Sequence, residues 1–99
     1  MSVLMTLRVA GDPKAVEGLD QAVLQTVSDR AKTMGGLISH HFYGSDNEVL
    51  VVDEWEDEAS FHRFFEASPE IPEVMKAAGV TTEPEIRFWR HLDTNDSVG

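Results

Sequence analysis

VLVVDEWEDEASFHRFF, residues 49–65, decides the fold because a buried strand passes directly into a helix within this stretch. Val49–Val52 are four consecutive apolar residues, three of them β-branched, which is typical of a central strand covered on both faces. The acidic residues at 56–58 end the strand. Asp57 can accept hydrogen bonds from the free amides of a following turn, and its charge suits the helix dipole. A helix is therefore predicted to begin near Glu58.

Aromatic side chains make that helix amphipathic. Phe61, Phe64 and Phe65 recur at i, i+3 and i+4, so the three rings share one helical face. We expect these rings to pack against the sheet that contains the preceding strand. Most of the stripe is interpreted as core, with Phe64 as a candidate wall of a pocket.

Length and charge limit the classes of function. The chain has 99 residues, too few for two separate cores, so residues 1–99 are predicted to form a single domain with 93–99 as a polar tail. Its formal charge of −10, with eight scattered Lys and Arg residues, argues against nucleic acid and an anionic membrane as partners. Without cysteine there is no disulfide, thiolate nucleophile or cysteine metal site.

The N-terminal residues 1–10 alternate like a strand and carry only Arg8 as a charged side chain. This is the pattern neither of a signal peptide nor of the roughly 20 apolar residues of a membrane span, so a cytoplasmic protein is predicted. No metal site is predicted, because the four histidines lack a tight ligand spacing. Adjacent His40 and His41 would also point to opposite faces of a strand.

Periodicity outside this stretch predicts five further elements, counted in chain order. They are a strand over Ser2–Val9, one long helix over Pro13–Thr33, a strand over Leu37–Tyr43, a second part of the broken helix after a Ser68 cap and Pro69, and a strand over Glu85–Leu92. The turn-rich residues 44–47 make the second and third strands a hairpin. The order β-α-β-β-α-β favours an α+β, ferredoxin-like antiparallel sheet with helices on one face.

The other face of this sheet is also apolar. It is predicted to carry these side chains from the first three strands: Leu4, Thr6, Leu37, Tyr43, Leu50 and Val52. A monomer would leave this surface in water. The pattern therefore predicts a homodimer in which a second sheet covers it.

The whole chain resembles the antibiotic biosynthesis monooxygenase-like proteins of the dimeric α+β barrel superfamily. The resemblance rests on Gly36-Leu37-Ile38-Ser39 after the long helix, on Glu54-Trp55 with Phe61 at W-x5-F spacing, and on Ser68-Pro69 after the next helix. It implies a dimeric α+β barrel in which two ferredoxin-like sheets pair. It also implies a pocket between sheet and helices that receives small aromatic or polyketide-type compounds.

The resemblance also bears on cofactors. Relatives often carry a histidine where this chain has Phe64, and His62 lies two residues earlier on a different helical face. Haem-degrading relatives use an asparagine on the first strand, a tryptophan at the place of Phe64, and a downstream histidine near the place of Met75. None of these residues is present here, so no cofactor is predicted.

Hairpin geometry brings one acid–base pair together. With a short turn around Asp46 and Asn47, antiparallel pairing puts His40 opposite Asp53, whereas a one-residue shift would bring His41 there instead. Four apolar side chains are predicted on the same face as this pair: Ile38, Phe42, Val51 and Trp55. A histidine held by a carboxylate can act as a general base, so His40 and Asp53 are the predicted catalytic residues. The alternative is a structural polar pair in which each group satisfies the other.

The predicted substrate-binding residues are Trp55, Phe42, Phe64 and Trp89, whose rings could hold a flat ligand, although large aromatics in a small sheet also serve as core. The resulting hypothesis is a cofactor-independent monooxygenase-like enzyme that deprotonates a small aromatic substrate and lets the anion meet oxygen in a dry pocket. Two alternatives stay open. The domain could bind a small apolar ligand without catalysis, or could use the same proton transfer for isomerisation or cyclisation.

Overall fold

A computed structural model describes the whole chain, residues 1–99. Its elements in chain order are β1 (Val3–Ala10), α1 (Pro13–Glu17), α2 (Gln21–Met34), β2 (Leu37–Gly44), β3 (Glu48–Trp55), α3 (Glu58–Glu66), α4 (Glu70–Ala77) and β4 (Glu85–Trp89). The four strands form one antiparallel sheet in the order β2-β3-β1-β4, with the helices packed on one face. The predicted α+β ferredoxin-like fold is confirmed.

The corner between β3 and α3 forms as the sequence predicts. Asp57 is the N-cap of α3, and its Oδ1 accepts a hydrogen bond from the Ser60 amide at 2.7 Å. Hydrogen bonding to that amide holds the pKa of the Asp57 carboxyl below its ordinary value. Trp55 at the end of β3 lies in the buried core, together with Phe61 and Phe64 of α3. The corner therefore anchors α3 on the sheet.

The long first helix predicted over Pro13–Thr33 is wrong, because the chain forms two helices there. Gly18 follows α1, and the Asp20 carboxylate accepts a hydrogen bond from the Ala22 amide at 2.9 Å to start α2. A new cap competes with helix continuation when a glycine with poor helix propensity precedes it. The break restarts the apolar stripe, so Val23 is exposed while Val27 and Ala31 face the sheet.

Strand β2 contains a bulge that corrects the predicted faces of its first residues. Leu37 pairs with Trp55 and Ser39 with Glu54, so the register shifts between Leu37 and Ser39. A bulge inserts one extra residue and reverses the alternation on one side of it. Leu37 therefore faces the helices, whereas Ile38, which was predicted beside His40, is exposed.

Two further boundaries differ from the prediction. Strand β4 ends at Trp89 rather than at Leu92, and its last pair with β1 is Trp89 opposite Leu4. Helix α4 has Pro69 as its N-cap residue and no side-chain cap. The predicted cap Ser68 instead donates its hydroxyl to the Phe64 carbonyl at 2.8 Å, which joins the two halves of the broken helix.

The sheet face away from the helices is partly apolar and uncovered. Leu4, Tyr43 and Trp89 are exposed large hydrophobic residues on this face, next to Leu50 and Val52. Arg8 crosses the same face to Glu48, with Nη2 and Oε1 2.8 Å apart. None of the four helices is long and apolar enough to span a membrane.

Candidate active site

An apolar cavity of about 140 Å³ lies between the sheet and the helices. His40 and Ser28 are its polar lining residues, and the rest of the lining is hydrophobic. The predicted pocket residues Phe42, Phe64 and Trp55 line it together with side chains from every helix: Val16, Leu24, Val27, Ala31, Phe61, Phe65, Ile71 and Met75. An apolar cavity of about 150 Å³ in another protein binds benzene, so this space suits a compact ring.

Solvent access to the cavity follows from the position of β2 at the edge of the sheet. Phe42 is 41% exposed, the highest fraction among the lining side chains, and His40 on the same strand is partly exposed. The other lining residues are buried or half-buried. The cavity is therefore closed by core side chains inside and is nearest to water along β2.

His40 and Asp53 are directly opposed across the hairpin, as predicted, and the alternative that placed His41 opposite Asp53 is wrong. Nδ1 of His40 lies 2.6 Å from Oδ1 of Asp53. An ionised carboxylate can only accept hydrogen bonds, so this pairing assigns a proton to Nδ1 and leaves Nε2 free to take another. The short β-turn between the two strands is what sets this register.

The Asp53 carboxylate is buried, and each of its oxygens has a donor. Oδ1 accepts from His40, and Oδ2 accepts from the indole N–H of Trp55 at 3.1 Å. Asp53 and Trp55 are two residues apart on β3, so both side chains point to the helix-covered face. No buried side-chain nitrogen or oxygen in the chain is left without a hydrogen-bond partner.

Trp89 lies on the other side of the sheet from this cavity. It pairs with Leu4 on β1, and its indole N–H donates to the Thr6 hydroxyl at 2.9 Å. It is 47% exposed and does not line the cavity. The structure thus brings five of the six predicted site residues to one place and puts the sixth on the uncovered face.

An ion pair that the sequence did not indicate holds two of the helices that cover the cavity. Arg30 of α2 binds both carboxylate oxygens of Glu70 at the start of α4, and Nη1 lies 2.7 Å from Oε1. The hydrogen bonds from Arg30 lower the pKa of the Glu70 carboxyl to about 2. Forty positions separate the partners, so no local pattern could have paired them. No group of three or more His, Asp or Glu side chains is arranged to hold a metal ion.

The fold and this site define a class: a ferredoxin-like α+β domain with a histidine–carboxylate pair beside an apolar cavity. No protein-family model matches the chain, and no curated protein sequence is significantly similar to it. Solved structures do match. SnoaB, a cofactor-independent oxygenase from Streptomyces nogalater, is 20% identical with a TM-score of 0.65, over 97% of this chain and 98% of its own.

Two other solved structures also match the fold over most of the chain. ActVA-Orf6, a monooxygenase of Streptomyces coelicolor solved with nanaomycin D, is 18% identical with a TM-score of 0.69, over 97% of this chain and 93% of its own. An antibiotic biosynthesis monooxygenase is 8% identical with a TM-score of 0.64, over 91% of this chain and 98% of its own. The chain has the fold of the antibiotic biosynthesis monooxygenase-like proteins, as its resemblance to them predicted.

Proposed function

We propose that this protein is a cofactor-independent monooxygenase-like enzyme that acts on a compact aromatic compound with an acidic O–H or C–H group. One observation carries the proposal: the apolar cavity is lined by a single imidazole, that of His40, and the buried Asp53 carboxylate is hydrogen-bonded to Nδ1 of this ring. SnoaB, which shares the fold, is described as a cofactor-independent oxygenase. The likeness supports the reaction class, while the cavity supports the size and polarity of the substrate.

In the proposed reaction Nε2 of His40 takes a proton from the bound substrate. Asp53 stabilises the imidazolium that results, because a buried carboxylate beside it offsets its charge. The substrate anion transfers an electron to molecular oxygen, and the two radicals combine to a peroxide. His40 returns its proton to the peroxide. The hydrogen that remains on the oxygenated carbon is then lost as the O–O bond breaks, so the carbon keeps one oxygen as a carbonyl and the other oxygen leaves with two hydrogens as water. In total the substrate loses its acidic hydrogen and one C–H hydrogen, and with one O₂ it gives one C=O and one H₂O.

The apolar lining serves this reaction by excluding water. Ser28 is the one polar side chain besides His40 on the cavity wall, so few groups compete to hydrate the substrate anion. A desolvated anion is a stronger electron donor to oxygen than a hydrated one. Phe42, Phe64 and Trp55 are proposed to hold the ring, since flat aromatic walls pack well against a flat ligand.

We also propose that two copies pair through the uncovered sheet face. Exposed apolar residues of β1, β2 and β4 share this face, and the same face on a second copy would close a two-fold pair. Trp89 would then be part of the interface. This assembly is the dimeric α+β barrel expected from the resemblance.

Oxygen consumption tests the enzymatic proposal. Purified protein is incubated in an oxygen electrode with single-ring phenols and quinols, which match the cavity in size, and His40→Ala is expected to lower the rate by on the order of 10²- to 10⁴-fold. Asp53→Asn should also lower it, because an amide cannot balance the imidazolium charge. His41→Ala is the matched control, since His41 lies on the uncovered face. Turnover that both site variants leave unchanged would remove the proposed mechanism.

A non-catalytic ligand-binding function is the second candidate. It is favoured by the almost wholly hydrophobic lining, which offers no donor besides His40 and Ser28 to stabilise charge on a substrate. Tight binding of a quinol without oxygen uptake would support it. Rearranged or cyclised product without oxygen uptake would instead support an isomerase or cyclase that uses the same proton transfer.

A further inference from the structure

The second oxygen of the Asp53 carboxylate is held by a residue that takes no part in proton transfer. Oδ2 accepts the indole N–H of Trp55 at 3.1 Å, while Oδ1 faces Nδ1 of His40 at 2.6 Å. A carboxylate can rotate about its terminal bond, and one partner alone leaves that rotation broad. With a donor on each oxygen the carboxylate plane is set, and so is the direction in which Oδ1 meets the imidazole.

The donor itself is rigid because its ring is enclosed. Trp55 is 0% exposed, and its ring packs edge-on against Phe61 at 5.7 Å between centroids and in a tilted arrangement against Phe64 at 5.5 Å. The backbone of Gly36 approaches the same indole closely enough that an added Cβ would lie 3.6 Å from Cε3. The indole N–H therefore has one direction available to it, and that direction is Asp53.

Two hydrogen bonds in series connect Trp55 to Asp53 and Asp53 to His40. Burial makes each hydrogen bond in such a chain stronger than it would be in water. It also makes the loss of the indole donor costly, because a buried carboxylate oxygen would be left without a partner. Without that donor the Asp53 carboxylate could rotate more freely, and the orientation of the His40 ring would become less defined.

We propose that Trp55 is a positioning residue for His40: its indole N–H orients the Asp53 carboxylate, which in turn keeps the proton of His40 on Nδ1 and Nε2 open toward the cavity. The inference rests on the proposed function, in which Nε2 is the base. Trp55 has a further part as cavity wall, but the positioning role belongs to one atom, Nε1. Packing alone would be served equally by any ring of the same shape.

The test replaces Nε1 of Trp55 and keeps the shape of the bicyclic ring. Benzothienylalanine at position 55 puts sulfur where the indole has N–H, with nearly the same volume, and Trp55→Phe serves as a genetically encoded second variant. The readout is the pair of ¹⁵N resonances of the His40 ring at about pH 8.5, where an ordinary imidazole is neutral. His40→Gln assigns them. Circular dichroism establishes that each variant is folded.

The wild-type ring is expected to show one protonated nitrogen, Nδ1, and one unprotonated nitrogen, Nε2. In the benzothienyl variant the two resonances should move toward each other as the second tautomer becomes populated. Trp89→Phe is the matched control, because that indole donates to Thr6 on the uncovered face. It should leave both His40 resonances in place. Unchanged His40 resonances in a folded benzothienyl variant would overturn the inference.

Kinetics then separate positioning from binding. With any quinol that the wild type turns over, the benzothienyl variant should lose on the order of 10- to 100-fold in kcat with KM nearly unchanged, because misorientation of the base affects the reacting geometry. A rise in KM with unchanged kcat would mean that Trp55 only lines the cavity and does not position His40. The NMR comparison needs no substrate, so a protein without oxygenase activity would refute the proposed function and still decide this inference.

Discussion

The two tryptophans of the chain stand on opposite faces of the same sheet and show how differently those faces are built. Trp55 is 0% exposed, packs between phenylalanine rings and donates to a buried carboxylate. Trp89 is 47% exposed and donates to the Thr6 hydroxyl at the surface. Both indoles are hydrogen-bonded, so the difference lies in what covers them.

The different cover of the two faces explains why the buried acid–base pair lies on the covered face. A carboxylate is costly to bury unless donors compensate it, and the covered face supplies two of them to Asp53. On the uncovered face the charged groups pair with each other in contact with water, as Arg8 does with Glu48. Such exposed pairs contribute little, while the buried pair forces a defined geometry. Four experiments test this contrast, in order of decreasing effect.

Truncating each tryptophan is expected to give the largest difference. Trp55→Ala should lower the free energy of unfolding by about 3–5 kcal/mol, because it empties a fully buried site and leaves Asp53 short of a donor. Trp89→Ala should cost about 1 kcal/mol or less in the isolated chain, since its ring is half in water. Urea denaturation at two protein concentrations separates the folding and association contributions. Equal losses would mean that the two faces are equally buried.

Placing a charge on the uncovered face should act on association. Leu4→Glu is expected to weaken the dimer by about 100-fold or more, because each copy would bury an unpaired carboxylate at the proposed interface. Met34→Glu is the matched control: its exposed fraction of 42% is close to the 40% of Leu4, but it lies at the end of α2. Sedimentation velocity measures both. A wild type that sediments as a monomer would contradict the pairing.

Substitutions at two neighbouring glycines test how closely the start of β2 packs against α3. Gly36 has a φ of +99°, and an added Cβ would lie 2.5 Å from Cβ of Ser60, so Gly36→Ala should cost about 3 kcal/mol. Gly35 has a φ of +86° with nothing within 4 Å, so Gly35→Ala should cost about 1 kcal/mol, the backbone strain alone. Thermal or urea unfolding checks the order. A smaller loss at Gly36 would mean that β2 and α3 are not in close contact.

The ion pair over the cavity should give the smallest effect, and one that depends on pH. The Glu70 pKa falls from 4.5 in the ordinary state to about 2 in the folded chain, so the pair stabilises the fold above pH 4.5 and loses that contribution as the pH falls toward 2. Glu70→Gln should flatten the stability profile in this window. Glu73→Gln, on the same helix but outside any ion pair, is the control and should change it much less. Because the pair is partly exposed, added salt should weaken its effect.

Short-range signals explain which parts of the fold could be predicted. The Asp57 cap and the phenylalanine spacing operate within one or two turns, and they placed α3 correctly. A short hairpin turn leaves little freedom of register, which is why His40 and Asp53 could be paired from the sequence. The break after α1 has a local signal in Gly18 and Asp20, but the apolar spacing that continues across it is equally typical of one long helix.

Long-range contacts explain the rest. The bulge at Ile38 accompanies the close approach of Gly36 to Ser60 and a hydrogen bond from the Glu56 amide to the Gly36 carbonyl. Neither contact can be read from residues near β2. Alternation showed that β4 has two faces, but it could not show which face the helices would cover, so Trp89 was predicted in the pocket.

The most direct test of the central claim uses the four histidines as internal probes. Protein labelled with ¹⁵N in the histidine rings is titrated with a single-ring phenol, and each ring is followed by NMR. Because His40 alone among the histidines lines the cavity, its resonances should shift with saturation while those of His41, His62 and His91 stay in place. Binding of the phenol that shifts another histidine and leaves His40 unmoved would contradict the account.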